Sequence, residues 1–383
     1  MRSVCLLGAS GNIGSQAVDI LLKEPGKFVL KAISIGNHVE KIPSLLKSFP
    51  SIKWVCVKNK DDFLRLKDEY PGLSFFQGDG GLLSLIENSE TDMVINALVG
   101  FSGLLPSIRA LELNKILCLA NKESLVVGGV FISRLLKEGH GRLFPIDSEH
   151  VAIAKCLSLV ERKDVKRILI TGSGGAFRDK SREELTDITP AFALKHPTWS
   201  MGKKITIDSD TMFNKGFEVI EASVLFDWPI EDITVILHDE SHLHSAIELK
   251  DGTLIGEVSA PDMHGPIAYA LNEGKADMSD VMKVNRLSDF GAYHFRPFNK
   301  ERYPAVGIAI EAYLKGEIYP AILNAAVEEC DYLFLEGKLS FLAIEEWTKK
   351  ALLNATSSKN PSLSDILIAD RSTREYLRKE AGD

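Results

Sequence analysis

The stretch "SVCLLGASGNIG", Ser3–Gly14, sets the reading of the fold. An apolar run of strand-forming character passes straight into a glycine-spaced turn, and an amphipathic segment starts near Asn12. Strand, tight turn and helix in immediate succession form the opening half of a βαβ unit. Outward from it, "FVLKAISI", "IKWVCV", "DMVINAL" and "KILCLA" repeat the short apolar run, with helical patterns between them. Such alternation predicts a parallel sheet with helices on both faces, a Rossmann-like α/β domain. The glycines at 8, 11 and 14 let backbone N–H groups approach a pyrophosphate at a helix N-terminus, which favours dinucleotide binding over a purely structural turn. The second strand ends in "SIGNHVEK". Ser34, Gly36, Asn37 and His38 place no carboxylate where one would repel a 2′-phosphate, so the expectation is NADP rather than NAD.

At 383 residues the chain is long enough for two or three domains. A net charge of −8 does not support a nucleic-acid-binding surface. The five scattered cysteines contain no CxxC pair and read as buried, reduced thiols. No secretory signal is expected, and the longest apolar stretch is interrupted by Asn96 and Ser102, so no membrane span is expected. These features fit a cytoplasmic protein; a plastid location would require a presequence already removed.

From about 148 to 285 the pattern changes. "VKRILIT", "ITVILHD", "SAIELKD" and "LIGEVSA" read as successive strands of an open sheet with long loops, two of them joined by the turn "DGT". After a linker near 286–300, the segments "AVGIAIEAYLKG", "YPAILNAAVEECDYLFLEG" and "LAIEEWTKKALLNA" have helical spacing, two of them closed by Gly316 and Gly337. The expected organisation is therefore a nucleotide-binding domain over 1–147, a central α/β catalytic domain over 148–285 with a mobile loop, and a small helical domain over 301–383.

"FPIDSEH", residues 144–150, sets Asp147 and Glu149 one residue apart. A divalent cation would explain the pair, and so would a helix start, since the apolar "VAIAKCLSLV" follows and acids suit a first helical turn. "TGSGG", Thr171–Gly175, offers an anion-binding concavity of backbone N–H groups, or simply a flexible loop. "HPTWSMGKKITIDSDTMFNKGFE", 196–218, concentrates Ser, Asn and Lys donors suited to a phosphate monoester. Asn214 and Glu218, four apart, share a helix face.

Taken together, "GASGNIG", "ANKESLV", "DSEH", "TGSGGAFR" and "HPTWSMGKKITIDSDTMFNKGFE" resemble the 1-deoxy-D-xylulose 5-phosphate reductoisomerases, in family order and from the N-terminus into the helical tail. The resemblance implies an NADPH- and metal-dependent homodimeric enzyme of the non-mevalonate isoprenoid pathway. Its substrate would be a sugar phosphate, isomerised and reduced to 2-C-methyl-D-erythritol 4-phosphate. It implies that Asp147, Glu149 and Glu218 hold Mg²⁺ or Mn²⁺, and that Lys122 and Ser148 contact substrate oxygens. It also implies that Ser173, Ser209, Asn214 and Lys215 bind the phosphate, and that His196 and Trp199 belong to a closing loop. By the same resemblance Ser10, Gly11, Asn12, Ile13, Gly36, Asn37, Asn121, Glu123 and Gly202 touch the cofactor.

Three departures stand out. Asn37 occupies a position where lysine is usual, Asp239 and Glu240 replace Pro and Gln in "HDESHLHS", and Ala176 replaces a common proline. The histidines of that segment, His238, His242 and His244, have no thiolate beside them and read as a structural turn rather than a zinc site. Two rival readings remain at this stage: a plain NADP-dependent oxidoreductase, and a non-catalytic NADP sensor.

Overall fold

The computed structural model describes residues 1–195, 202–275, 286, 288, 290–356 and 359–381. The chain divides into two compact units. The first comprises Met1–Ser124, Gly129–Val151 and Asp262–Val284; the second comprises Leu125–Gly128, Ala152–Pro261 and Asn285–Asp383.

The first unit is built on seven strands: β1 (Arg2–Leu7), β2 (Phe28–Ile35), β3 (Trp54–Val57), β4 (Ser74–Gln77), β5 (Met93–Asn96), β6 (Ile116–Leu119) and β7 (Arg142–Pro145). Their spatial order is β4-β3-β2-β1-β5-β6-β7, and every pairing is parallel. The central strands are buried on both faces and read as unbroken apolar runs, as a helix-covered parallel sheet requires. The strand order reverses between β1 and β5, which opens a crevice at their carboxyl ends. The five strands expected in this part are present. The edge strands β4 and β7, each of four residues and only partly buried, carry too weak an apolar signal to be read in advance.

The grouping of chain segments differs from the expected boundaries. The helix His264–Leu271 belongs with the first unit, where Ile267, Ala268, Ala270 and Leu271 join the same core as Val4, Leu6, Ile20 and Cys118. Glu273 then pairs with Arg2 at 2.8 Å and Arg142 at 2.6 Å. Hydrophobic burial and an ion-pair clasp thus return a distant segment to the N-terminal sheet, which local periodicity cannot reveal.

The second unit carries β8 (Val165–Gly172), β9 (Ile233–His238), β10 (Leu243–Leu249), β11 (Leu254–Val258) and β12 (Phe295–Pro297), in the order β11-β10-β8-β9-β12. Only β8 and β9 run parallel. The expected "DGT" turn joins β10 to β11, with Gly252 at φ +89°. The three anticipated tail helices are Pro304–Lys315, Tyr319–Leu335 and Ala343–Leu353. A further helix, Leu363–Glu380, opens with a capping box between Ser362 and Asp365. The tail groups with the mixed sheet in one unit rather than standing as a separate domain. The helix Tyr319–Leu335 is buried along nearly its whole length, enclosed by the helices before and after it. Gly216 lets the helix Phe213–Phe226 approach the tail closely, because a Cβ there would lie 2.7 Å from that of Ala309.

Candidate active site

The glycine turn follows β1 into the helix Asn12–Lys23 and meets the end of β5. Gly8 has φ +80°, and a Cβ on it would fall 2.6 Å from the carbonyl oxygen of Ala97. A Cβ on Gly14 would fall 2.1 Å from Gly8 O. Neither position admits a side chain, so the turn keeps the close backbone approach that a pyrophosphate needs. The Ser34 hydroxyl accepts the Gly8 N–H at 2.9 Å, tying the end of β2 to the turn. Gly11 and Asn12 are exposed, as is Asn37, while Ser10, Ile13 and Gly36 are half-buried. This arrangement suits a dinucleotide.

Asn121 and Glu123 are buried instead. The Asn121 amide donates to Gly100 O at 2.8 Å and to Glu123 Oε2 at 2.9 Å, and its oxygen accepts from Ser124. Asn121 holds the loop after β5 in place, and Glu123 accepts from its amide.

Asp147 lies just beyond β7 and caps the helix Ser148–Leu157: its Oδ1 accepts the Glu149 N–H at 3.1 Å, and its carbonyl accepts from Val151 at 3.0 Å. The helix-start reading is therefore correct, and the same carboxylate is held by two further side chains. Lys122 Nζ donates to Asp147 Oδ2 at 2.9 Å, and His150 Nδ1 lies 2.9 Å from Oδ1. Burial acts to raise the Asp147 pKa, but the Lys122 charge and His150 outweigh it and hold the carboxyl well below its usual range. Ser148 donates to Glu149 Oε2 at 2.6 Å. His150 is fully buried and orients Asp147; it stood in the quoted motif but was given no role from sequence.

In the second unit, β8 delivers the loop Ser173–Gly175 against the junction of the helices Lys203–Thr211 and Phe213–Phe226. A Cβ on Gly172 would lie 2.9 Å from Lys215 Cε, and one on Gly175, at φ +73°, would lie 2.9 Å from Ser209 O. Met212, at φ +69°, makes the bend between the two helices. The backbone on either side of Ser173 is thus packed against Lys215 and against Ser209 and Asp210. Glu218, one turn on, is buried and accepts from Asn214 Nδ2 at 2.5 Å and from Lys215. Gly202 precedes this helix pair and is exposed; His196 and Trp199 lie outside the described residues. The acids assigned to the metal are all oxygen donors, a set that fits a hard divalent cation, and Asp147 and Glu218 each already have an ammonium as countercharge.

Two of the three sequence departures make local contacts of their own. Ala176 donates its N–H to Asp210 Oδ1 at 2.7 Å, a bond that a proline could not make. Asp239 is clasped by Arg296 at 2.6 Å, and Glu240 by His294 at 2.5 Å. The three histidines of that segment form no metal cluster among the described residues. His238 stacks on Phe295 and accepts the His242 N–H, which makes the segment a packed turn.

Burial pushes the Asp210 carboxyl up to about 7, with the Ala176 N–H opposing it. Its ordinary value in an unfolded chain is near 4, so the folded protein holds an extra proton between those limits. That contribution to stability is complete below about 4 and is lost as pH rises through about 7. Asp210→Asn should therefore gain stability relative to the parent between pH 5 and pH 8, by at most roughly 2–3 kcal/mol. Denaturant unfolding of both proteins at the two pH values checks this, and a pH-independent difference would contradict it.

Comparison with known proteins agrees along the whole chain. Residues 4–129 match the family model for 1-deoxy-D-xylulose 5-phosphate reductoisomerase, 143–226 its C-terminal domain, and 258–376 a further DXP reductoisomerase C-terminal domain. The 1-deoxy-D-xylulose 5-phosphate reductoisomerase of Geobacillus sp. (strain WCH70) is 43% identical over 379 residues, covering 99% of each chain. That of Listeria innocua is 41% identical over 378 residues, again covering 99% of each. Among solved structures, a DOX-P reductoisomerase in complex with NADPH, fosmidomycin and magnesium matches with a TM-score of 0.92 at 31% identity, covering 100% of both chains. The Zymomonas mobilis enzyme in complex with NADPH matches with a TM-score of 0.88 at 32% identity, covering 98% of this chain and 97% of that one. The chain belongs to the 1-deoxy-D-xylulose 5-phosphate reductoisomerase family.

Proposed function

We propose that this chain isomerises and reduces 1-deoxy-D-xylulose 5-phosphate to 2-C-methyl-D-erythritol 4-phosphate, using NADPH and a divalent cation. The observation that carries this reading is the pairing of two largely enclosed acids with lysines: the half-buried Asp147 with Lys122, and the buried Glu218 with Lys215. A nucleotide-binding sheet alone has no need of such pairs, which disfavours the plain oxidoreductase and the sensor.

Asp147, Glu149 and Glu218 would hold the metal, Mg²⁺ or Mn²⁺, which when bound supplies Lewis acidity at the substrate's carbonyl and hydroxyl oxygens. Lys122 and Ser148 orient those oxygens. Ser173, Ser209, Asn214 and Lys215 take the phosphate, whose binding energy is available to order the site for reaction. His196 and Trp199 keep water from the rearranging carbon skeleton. Ser10–Ile13, Gly36, Asn37, Asn121, Glu123 and Gly202 position NADPH for hydride delivery to the branched aldehyde. A homodimer in the cytoplasm completes the reading; among the described residues, no helix is long and apolar enough to cross a membrane.

The test is nicotinamide absorbance with NADPH, Mn²⁺ and 1-deoxy-D-xylulose 5-phosphate, with and without a chelator, followed by product analysis. Chelator-sensitive oxidation yielding the branched polyol phosphate is expected. Oxidation indifferent to chelator, or an unrearranged product, would favour the plain oxidoreductase.

A further inference from the structure

Ser34, Gly36 and Asn37 after the second strand carry no charge, yet an NADP-preferring enzyme needs a positive charge near the 2′-phosphate. The structure offers one four residues further on. Lys41 ends the short helical turn Val39–Lys41 that follows β2, and its side chain reaches back across the glycine turn to donate to the Ser10 carbonyl at 3.2 Å. We propose that Lys41 binds the 2′-phosphate of NADPH and sets the preference of this chain for NADPH over NADH. The inference rests on the NADPH-dependent reading above.

Three observations support it. In an open parallel sheet the ribose bearing the 2′ group is recognised just past the second strand, and residues 36–41 occupy that position here. Of the charged groups in that segment, Glu40 turns toward His38 at 3.1 Å, so it does not oppose an incoming phosphate alone, and Lys41 supplies a permanent positive charge. Finally, the Lys41 ammonium is exposed and held over the turn by a neutral carbonyl. An ammonium has three donors, so this contact orders the flexible stem while leaving capacity for charge-assisted bonds to phosphate oxygens. The competing explanation is that the Lys41–Ser10 bond merely fastens the turn to the following helix.

Lys41→Gln separates the two explanations, because its carboxamide can still donate to Ser10 but carries no charge. Binding of NADPH and NADH is followed by nicotinamide fluorescence, and adenosine 2′,5′-bisphosphate is compared with 5′-AMP by calorimetry. Lys41→Gln and Lys41→Ala should each lower the NADPH-to-NADH affinity ratio by about tenfold or more, in line with loss of a charge-assisted bond. The advantage of the bisphosphate over 5′-AMP should fall by a similar factor and become less salt-dependent. Adding Asn37→Lys to Lys41→Ala should restore much of both. An unchanged ratio in Lys41→Gln, with or without weaker binding of every nucleotide, would overturn the proposal and leave Lys41 a structural fastener. If the unmodified protein itself shows no preference for NADPH, the NADPH reading fails first and Lys41's role falls with it.

Discussion

Glu218→Gln is expected to lower kcat by about a hundredfold or more at physiological Mg²⁺, with partial recovery at high Mn²⁺. Even residues that only support metal ligands typically cost 10–100-fold on mutation, so loss of a ligand's charge should cost at least as much. The substitution preserves side-chain shape, and the Asn214 amide can still donate to the remaining carbonyl oxygen. What disappears is a buried negative charge, and with it the electrostatic reason for a divalent cation to prefer this position. The amide keeps a hydrogen-bond acceptor in place but leaves the buried Lys215 ammonium without its countercharge, so a loss of stability of about 3–5 kcal/mol accompanies the loss of turnover. Turnover and metal titration on a protein with unchanged circular dichroism check the result. Near-parental activity at limiting Mn²⁺ would remove Glu218 from the ligand set.

Lys215→Ala should act mainly on the Michaelis constant for the sugar phosphate, raising it about 10–100-fold, the range expected for a hydrogen bond to a charged group worth about 1.5–3 kcal/mol. Lys215 is buried and packed beneath Gly172 at the end of β8, so its ammonium is presented from a fixed base. The measurement should use saturating metal, since truncation also strips Glu218 of its neighbouring cation. NADPH affinity serves as the internal control and should change little. A Michaelis constant unmoved by the substitution would contradict the phosphate assignment for Lys215.

Much of this architecture is written locally in the sequence. The turn Gly8–Gly14 requires glycine for steric reasons visible in its spacing, and the strands appear as apolar runs except for β4, β7 and β12, the last of which lies in the segment read as a linker. "DSEH" could be read both as a helix cap and as a ligand pair, because Asp147 is both a cap and a carboxylate held by a lysine. What could not be read depends on contacts between residues far apart in the chain. The return of the helix His264–Leu271 to the first core is set by packing against β1 and its neighbours, not by its own pattern. Nothing in the helix pattern distinguishes Asp210 from its polar neighbours; the N–H of Ala176, 34 positions earlier, does. Lys41 was part of the quoted segment after β2, but only the path of its side chain to Ser10 gives it a role.

The ion pair between Lys215 and Glu218 has a consequence for the order in which ligands assemble. While the ammonium neutralises the carboxylate, each is partly withheld from its own ligand. With the roles proposed above, a cation that takes over Glu218 would free Lys215 for phosphate, and a phosphate that draws Lys215 away would expose Glu218 to a cation. Linkage requires the two effects to be equal, so metal and phosphate should raise each other's affinity by the same factor, commonly about 5–150-fold for coupled sites. Inorganic phosphate should then bind measurably tighter in the presence of Mg²⁺ than in its absence, and Lys215→Met should abolish the difference. One buried salt bridge would in this way make the enzyme reluctant to hold either ligand alone and ready to hold both.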